Sequence, residues 1–267
     1  MSPTTCPTTG SVPGSPRLSG VACDTFTDNS IAGSTPCQRL SVIIPARNEE
    51  GTIARVLECL CDANLWEVIV VDGQSDDRTR EIAHLHGALV IQSQPGRGRQ
   101  LNIGAAGATG DTLLFLHADT LLPPKFDEHV FRVLARPRTS AGAFRLRIDA
   151  PGASLRLIEQ MVNYRSRFLQ MPYGDQAIFV KADAFRRVGG FPQLPVMEDY
   201  ELVRRLRRLG RIEIAPAAVV TSARRWLTGG VWRTTLYNRV CVAAYRLGVH
   251  PDLIARWRDP RNAIRGL

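Results

Sequence analysis

Four short apolar runs, separated by helix-length segments, constrain this chain more than any other feature. They are LSVII at 40–44, EVIVV at 67–71, ALVIQ at 88–92 and TLLFL at 112–116. The segments between them carry helical spacing; one begins near Glu49 and places Ile53, Val56, Leu57 and Leu60 at i, i+3, i+4 and i+7. Strands and helices alternating at this length predict an α/β fold whose mainly parallel sheet is covered on both faces. After residue 138 the pattern loosens into a strand at AGAFRLRI, a helix over 154–168, a strand at QAIFVK, a helix over 198–209 and a last arginine-bearing helix.

In such sheets ligands lie beyond the carboxyl ends of the strands. Three of those ends are polar here: Pro45-Ala46-Arg47-Asn48-Glu49, Asp72 through Asp77, and His117-Ala118-Asp119. Ser75, Asp76 and Asp77 suit a helix N-terminus, with Ser75 as the cap. Asp72 does not fit that reading, because it directly follows the buried run VIVV. A carboxylate there can accept hydrogen bonds from a nucleobase imide or from ribose hydroxyls.

Arg97 and Arg99 flank Gly98 at a helix start, where a phosphate site and a solvated basic turn are both open. His117 and Asp119 can converge from one side of an extended segment, to hold Mg²⁺ or Mn²⁺ or merely to close a strand. Glu198 and Asp199 open a helix after a proline-rich loop. They suit the helix dipole, and equally a general base in an anionic cleft.

Charge is distributed unevenly. The chain carries +9 overall, yet residues 204–267 hold fourteen arginines against Glu213, Asp252 and Asp259, a net of +11 that leaves −2 for the rest. An anionic partner is implied, either ligand phosphates or a membrane surface. RNA-binding signatures are lacking, and nucleic acid is not an expected partner. Residues 1–38, rich in Ser, Thr, Pro and Gly, read as a disordered tail without the basic and apolar regions of a secretory signal; a cytoplasmic location follows as the expectation. The six cysteines form no CxxC pair, which disfavours a zinc site or a disulfide framework.

Taken together, SVIIPARNEE, VIVVDGQSDD, LNIGAAGATGDTLLFLHADT, GDQAIFVKADAFRRVGGF and MEDYELVRRLRRLG, in that order over residues 39–225, resemble glycosyltransferase family 2. The nearest likeness is to its compact bacterial branch with FLHADT, which includes carotenoid-acid glycosyltransferases. The resemblance implies the GT-A fold and a nucleotide-diphosphate sugar as donor. It implies that Pro45, Arg47, Glu49 and Asp72 contact the nucleoside, that Asp119 is the last acid of the DxD metal motif, and that Asp199 is the base. His117 stands where the first acid of DxD would be. SARRW at 222–226 is similar to the QxxRW of processive members, with Ser222 in place of Gln, which argues against polymer synthesis.

On the acceptor side the expected residues are Asp175, Gln176, Arg225 and Trp226, and the segment 226–267 is expected to be a basic amphipathic helical region at an anionic membrane face. The implied reaction is an inverting transfer to a hydroxyl or carboxylate of a small-molecule or lipid-like acceptor. Two alternatives belong to other classes. A nucleotidyltransferase would need a triphosphate-gripping glycine loop after the first strand, where ARNEEG is too acidic. A non-catalytic surface-binding protein would not need acids at three strand ends.

Overall fold

The apolar runs become the first strands of an eight-stranded sheet in a computed structural model, which describes residues 39–61, 63 and 65–258. The tail expected over 1–38 lies outside the described residues. β1 (Leu40–Ala46), β2 (Glu67–Asp72), β3 (Leu89–Gln92) and β4 (Thr112–Phe115) are all parallel, in the order β3-β2-β1-β4. Between them lie α1 (Ile53–Glu58), α2 (Thr79–Leu85) and α3 (Arg97–Gly107). The sheet continues with β7 (Phe179–Lys181), β6 (Thr139–Asp149), β8 (Arg211–Ser222) and β5 (Thr120–Leu121). β7 is antiparallel to β4 and to β6, β8 runs parallel to β6, and β5 is antiparallel to β8.

Period-two alternation explains the two-sided core. Leu40, Val42 and Ile44 of β1 join Val70 and Leu114 in one buried layer, while Ile43 joins Ile69, Val71, Leu113 and Phe115 in the other. Each such side chain, fully withdrawn from water, contributes about 1.5–3 kcal/mol. Gly104 lets α3 lie directly on β1, since a Cβ there would sit 2.4 Å from Ile43 Cγ2.

Chain order reverses at β1, which has β2 on one side and β4 on the other. That switch point opens a crevice at the strands' carboxyl ends, the usual ligand position in such sheets. The remaining helices are α4 (Phe126–Leu134), α5 (Ala153–Leu169), α6 (Ala182–Arg187), α7 (Glu198–Leu206), α8 (Arg224–Gly229), α9 (Val231–Arg246) and α10 (Pro251–Arg258). No helix among the described residues is long and apolar enough to cross a membrane.

Several boundaries differ from the sequence expectation. α1 starts at Ile53 because Asn48 adopts a left-handed φ of 55° and the following residues form a turn. Ser75 does not cap α2; its Oγ accepts the Asn48 N–H at 3.0 Å and so ties the first strand's loop to the second's. β8 is a strand that RIEIAPAAVVTS conceals, because Pro216 interrupts it. The register shifts there, between the pairs Ala143–Ile214 and Arg145–Ala218, so the proline falls in a bulge and owes no ladder hydrogen bond. The single arginine-bearing helix expected at the end is three, α8 to α10.

Candidate active site

The residues expected to meet the nucleoside gather at the switch point as their strands dictate. Pro45 pairs in register with Val71, and Ala46 with Asp72, which brings the ends of β1 and β2 side by side. Gln100 of α3 fastens both, donating to Ala46 O at 3.0 Å and to Val71 O at 2.8 Å. Sequence reasoning passed over Gln100; only its position one turn into a helix start beside two strand ends gives it this work. Asp72 is fully buried; its Oδ2 accepts the Ser75 N–H at 3.1 Å and lies 3.8 Å from the Nε of Arg80, an ion pair. Its Oδ1 has no hydrogen-bond partner among the described residues. A buried acceptor in that condition is costly until a donor supplies the missing bond. Arg47 is exposed at the rim, and Glu49 is half-buried and faces Arg224 of α8 at 3.4 Å.

Arg97 and Arg99, expected together at a phosphate, have different surroundings. Arg99 is exposed on the first turn of α3. Arg97 is largely buried and pairs with Glu198, with its Nη2 at 4.0 Å from Asp199 Oδ2. The Nε–H is thus given to Glu198 of α7, and the two acids hold the guanidinium firmly protonated despite burial. Glu198, expected beside Asp199 in catalysis, is only 2% exposed and serves as Arg97's counterion.

Asp199 itself faces the cleft. Its Oδ2 accepts the Gly174 N–H at 2.7 Å and its Oδ1 accepts the Tyr200 N–H at 2.7 Å. Burial alone would raise this carboxyl, but Arg97, the two backbone N–H groups and His117 outweigh it and hold Asp199 below the usual carboxylate range. Its neighbour Asp175 is shifted the other way: burial pushes it up, Asp199 adds to that, and Arg165 opposes. Asp175 Oδ1 also has no hydrogen-bond partner among the described residues. Two adjacent carboxyls driven apart in this manner suit different roles in one reaction.

Gln176, expected on the acceptor side, points into the protein instead. It is fully buried; Oε1 accepts from Ser166 Oγ at 2.6 Å and Nε2 donates to Phe144 O at 2.8 Å. Its amide is used up in holding the 3-10 turn Gly174–Gln176 in place.

Asp199, Asp175, Arg97 and His117 converge on a cleft of about 760 Å³ walled by α5 and α9. Arg225 and Trp226 line it too. Trp226 also packs against the core, with its indole N–H buried and without an acceptor among the described residues.

At the end of β4, His117 and Asp119 are both half-buried. Among the described residues the Asp119 carboxylate receives only a 3.4 Å bond from Thr120, while its carbonyl accepts the Ser222 N–H at 3.1 Å. The His117 ring turns toward Gly174, where a Cβ would stand 2.9 Å from its Nε2. Among the described residues no group of three or more His, Cys, Asp or Glu could hold a metal ion. One carboxylate and one imidazole are too few for a resident divalent ion. They fit one whose remaining ligands are diphosphate oxygens and water.

Residues 41–189 match the family described as Glycosyl transferase family 2. Among curated relatives, 4,4'-diaponeurosporenoate glycosyltransferase of Staphylococcus haemolyticus is 38% identical over 94 residues, 32% of this chain and 25% of that one. Glucosyl-3-phosphoglycerate synthase of Mycobacterium tuberculosis is 34% identical over 96 residues, 32% of this chain and 30% of that one. The matches thus span less than a third of either relative's length. Among solved structures, the mannosyltransferase PcManGT from Pyrobaculum calidifontis, in complex with GDP-Man and Mn²⁺, superposes with a TM-score of 0.61 at 23% identity, covering 80% of this chain and 66% of that one. That likeness gives the fold, GT-A.

Proposed function

Because the chain belongs to glycosyl transferase family 2, we propose that it moves a sugar from a nucleotide-diphosphate donor to an acceptor held between α5 and α9, with inversion at the anomeric carbon. The observation that carries this reading is Asp199, low-pKa and oriented by the Gly174 N–H, at the floor of the cleft.

The nucleoside lies against Pro45, Arg47, Glu49 and Asp72, where Asp72 Oδ1 accepts the hydrogen bond it lacks in the protein alone. Asp119, with His117 beside it, would hold Mg²⁺ or Mn²⁺, as the Mn²⁺ in the PcManGT complex suggests by analogy. When bound, the ion neutralises charge on the departing diphosphate. Asp199 accepts the proton of an acceptor hydroxyl while that oxygen bonds to the anomeric carbon. The carbon–phosphate oxygen bond breaks, and its electron pair leaves with the nucleoside diphosphate. An acceptor carboxylate would react without proton removal, and Asp199 would then only steer it. Asp175 and Arg225 orient the acceptor.

The acceptor is an amphiphile, small-molecule or lipid-like, because the α5 wall presents Leu157, Met161 and Tyr164. Carotenoid acids of the kind named for the Staphylococcus relative fall within that class. Reversible attachment at the cytoplasmic face of an anionic membrane would supply such an acceptor without being required for the transfer. A donor-by-acceptor screen tests the glycosyl-transfer reading, with mass detection of product and release of nucleoside diphosphate as the second readout. Absence of release from every nucleotide sugar, with Mg²⁺ or Mn²⁺ present, would overturn it.

A further inference from the structure

Helix α9 leaves one apolar face in solvent. Trp232, Leu236, Val240 and Leu247 are 57, 64, 47 and 86% exposed, and Ala243 is exposed with them. Steps of four, four, three and four residues place all five on one stripe. At about 100° per residue, Arg239 and Arg246 border the stripe on one side and Arg233 on the other. The opposite face is occupied: Tyr237, Cys241 and Ala244 pack with Val196 and Ile254. Val231 and Ala244 are likewise turned inward. No acidic residue occurs between Glu213 and Asp252.

The cleft opens beside this stripe. Arg239 and Arg246 line it from α9, and Arg239 reaches Met161 Sδ of α5 at 3.2 Å. The other rim is α5, whose Leu157, Tyr164 and Leu169 line the cleft while remaining 45, 63 and 58% exposed. The α5 lip of the cleft is thus apolar and open to solvent, and the α9 lip carries two arginines next to the exposed stripe.

We propose that this face docks on an anionic phospholipid bilayer, with the α9 stripe immersed and its arginines at phosphate level, and that the cleft takes its acceptor laterally from the bilayer. The last clause rests on the glycosyl-transfer reading; the docking itself does not. Charge complementarity selects the occupant. A solvent-facing apolar stripe marks an interaction surface, and arginines on both flanks, on a helix that itself carries no acid, match the negative potential of a bilayer.

Co-sedimentation of the full chain with phosphatidylcholine vesicles, and with an equimolar mixture of phosphatidylcholine and phosphatidylglycerol, tests the proposal. Pelleting is expected with the mixture alone and declines as salt rises. Arg233→Gln weakens partition about fivefold, the effect of one basic residue near a charged leaflet. The pair Leu236→Ser with Val240→Ser abolishes it even at low salt. These exposed residues lie outside the cleft, so the variants keep wild-type nucleoside diphosphate release with a detergent-dispersed acceptor. Equal pelleting with both vesicles, none with either, or unaltered pelleting of the stripe variants overturns the docking surface. So does a dimer that the stripe variants dissociate, which would make a second copy the occupant. If vesicles bind and no donor releases nucleoside diphosphate, the docking stands and the glycosyl-transfer reading falls.

Discussion

The backbone N–H of Gly174 donates to Asp199 Oδ2 at 2.7 Å, and the space beside that glycine is taken by His117. A Cβ at 174 would stand 2.9 Å from His117 Nε2 and 3.2 Å from Asp199 Oδ2. The 3-10 turn therefore approaches the proposed base closely only because it has no side chain at this point.

Gly174→Ala should lower kcat about tenfold to a hundredfold with the KM for donor little changed, since small misplacement of a reacting group costs that much. Unfolding by urea separates this from general damage: the midpoint should move little, because the turn stays anchored by Gln176. A variant with wild-type kcat would show that the contact does not position Asp199.

Asp199→Asn should reduce turnover on a hydroxyl acceptor by about 10²–10⁴. Donor affinity, read by calorimetry with a non-transferable nucleotide sugar, should stay near wild type. Loss of donor binding with normal turnover of the bound fraction would make Asp199 a binding residue instead.

Asp119→Ala should abolish the response of activity to added Mn²⁺ while circular dichroism remains that of the parent. Undiminished activity of the variant in EDTA would remove the divalent ion from this reaction.

Glu198→Ala leaves Arg97 largely buried beside Asp199 without its main counterion. Breaking a buried pair from one side typically costs about 3–5 kcal/mol, whereas replacing both partners by apolar groups of similar volume is far milder. Chemical denaturation should therefore find Glu198→Ala less stable than the double variant Arg97→Met, Glu198→Leu. The reverse order would mean that the pair is not the principal tie between α3 and α7.

Asp175 and Asp199 predict opposite pH behaviour. Asp199 is depressed, so its stabilising contribution is present at pH values above its unfolded pKa, near 3.9, and is lost as pH falls through the lower folded value. Asp175 is raised; the fold prefers it protonated, and that preference is lost as pH rises through its folded pKa. Asp175→Asn should accordingly raise Tm at pH 7.5 and shed most of that gain near pH 4. A Tm difference that is constant across this range would contradict the assignment.

The alternation of apolar runs with helical spacing was enough, without coordinates, to read the parallel half of the sheet, because period two and period 3.6 are properties of a short stretch of chain. Polar residues at the ends of those runs were legible for the same reason: Asp72 after VIVV and Asp119 after TLLFL need only a strand to place them. Two more kinds of information depended on the tertiary fold. Arg97 and Glu198 are 101 residues apart, and nothing local to either says that one cancels the other. Gln176 looked like a residue facing a ligand until Ser166 and Phe144 were brought against it. β8 was hidden by Pro216, whose bulge makes sense only beside β6. The outer stripe of α9 came last, since apolar residues occur around that helix and its sequence alone does not say which face is covered. Packing of Tyr237, Cys241 and Ala244 with Val196 and Ile254 made that choice and left Leu236 and Val240 outside.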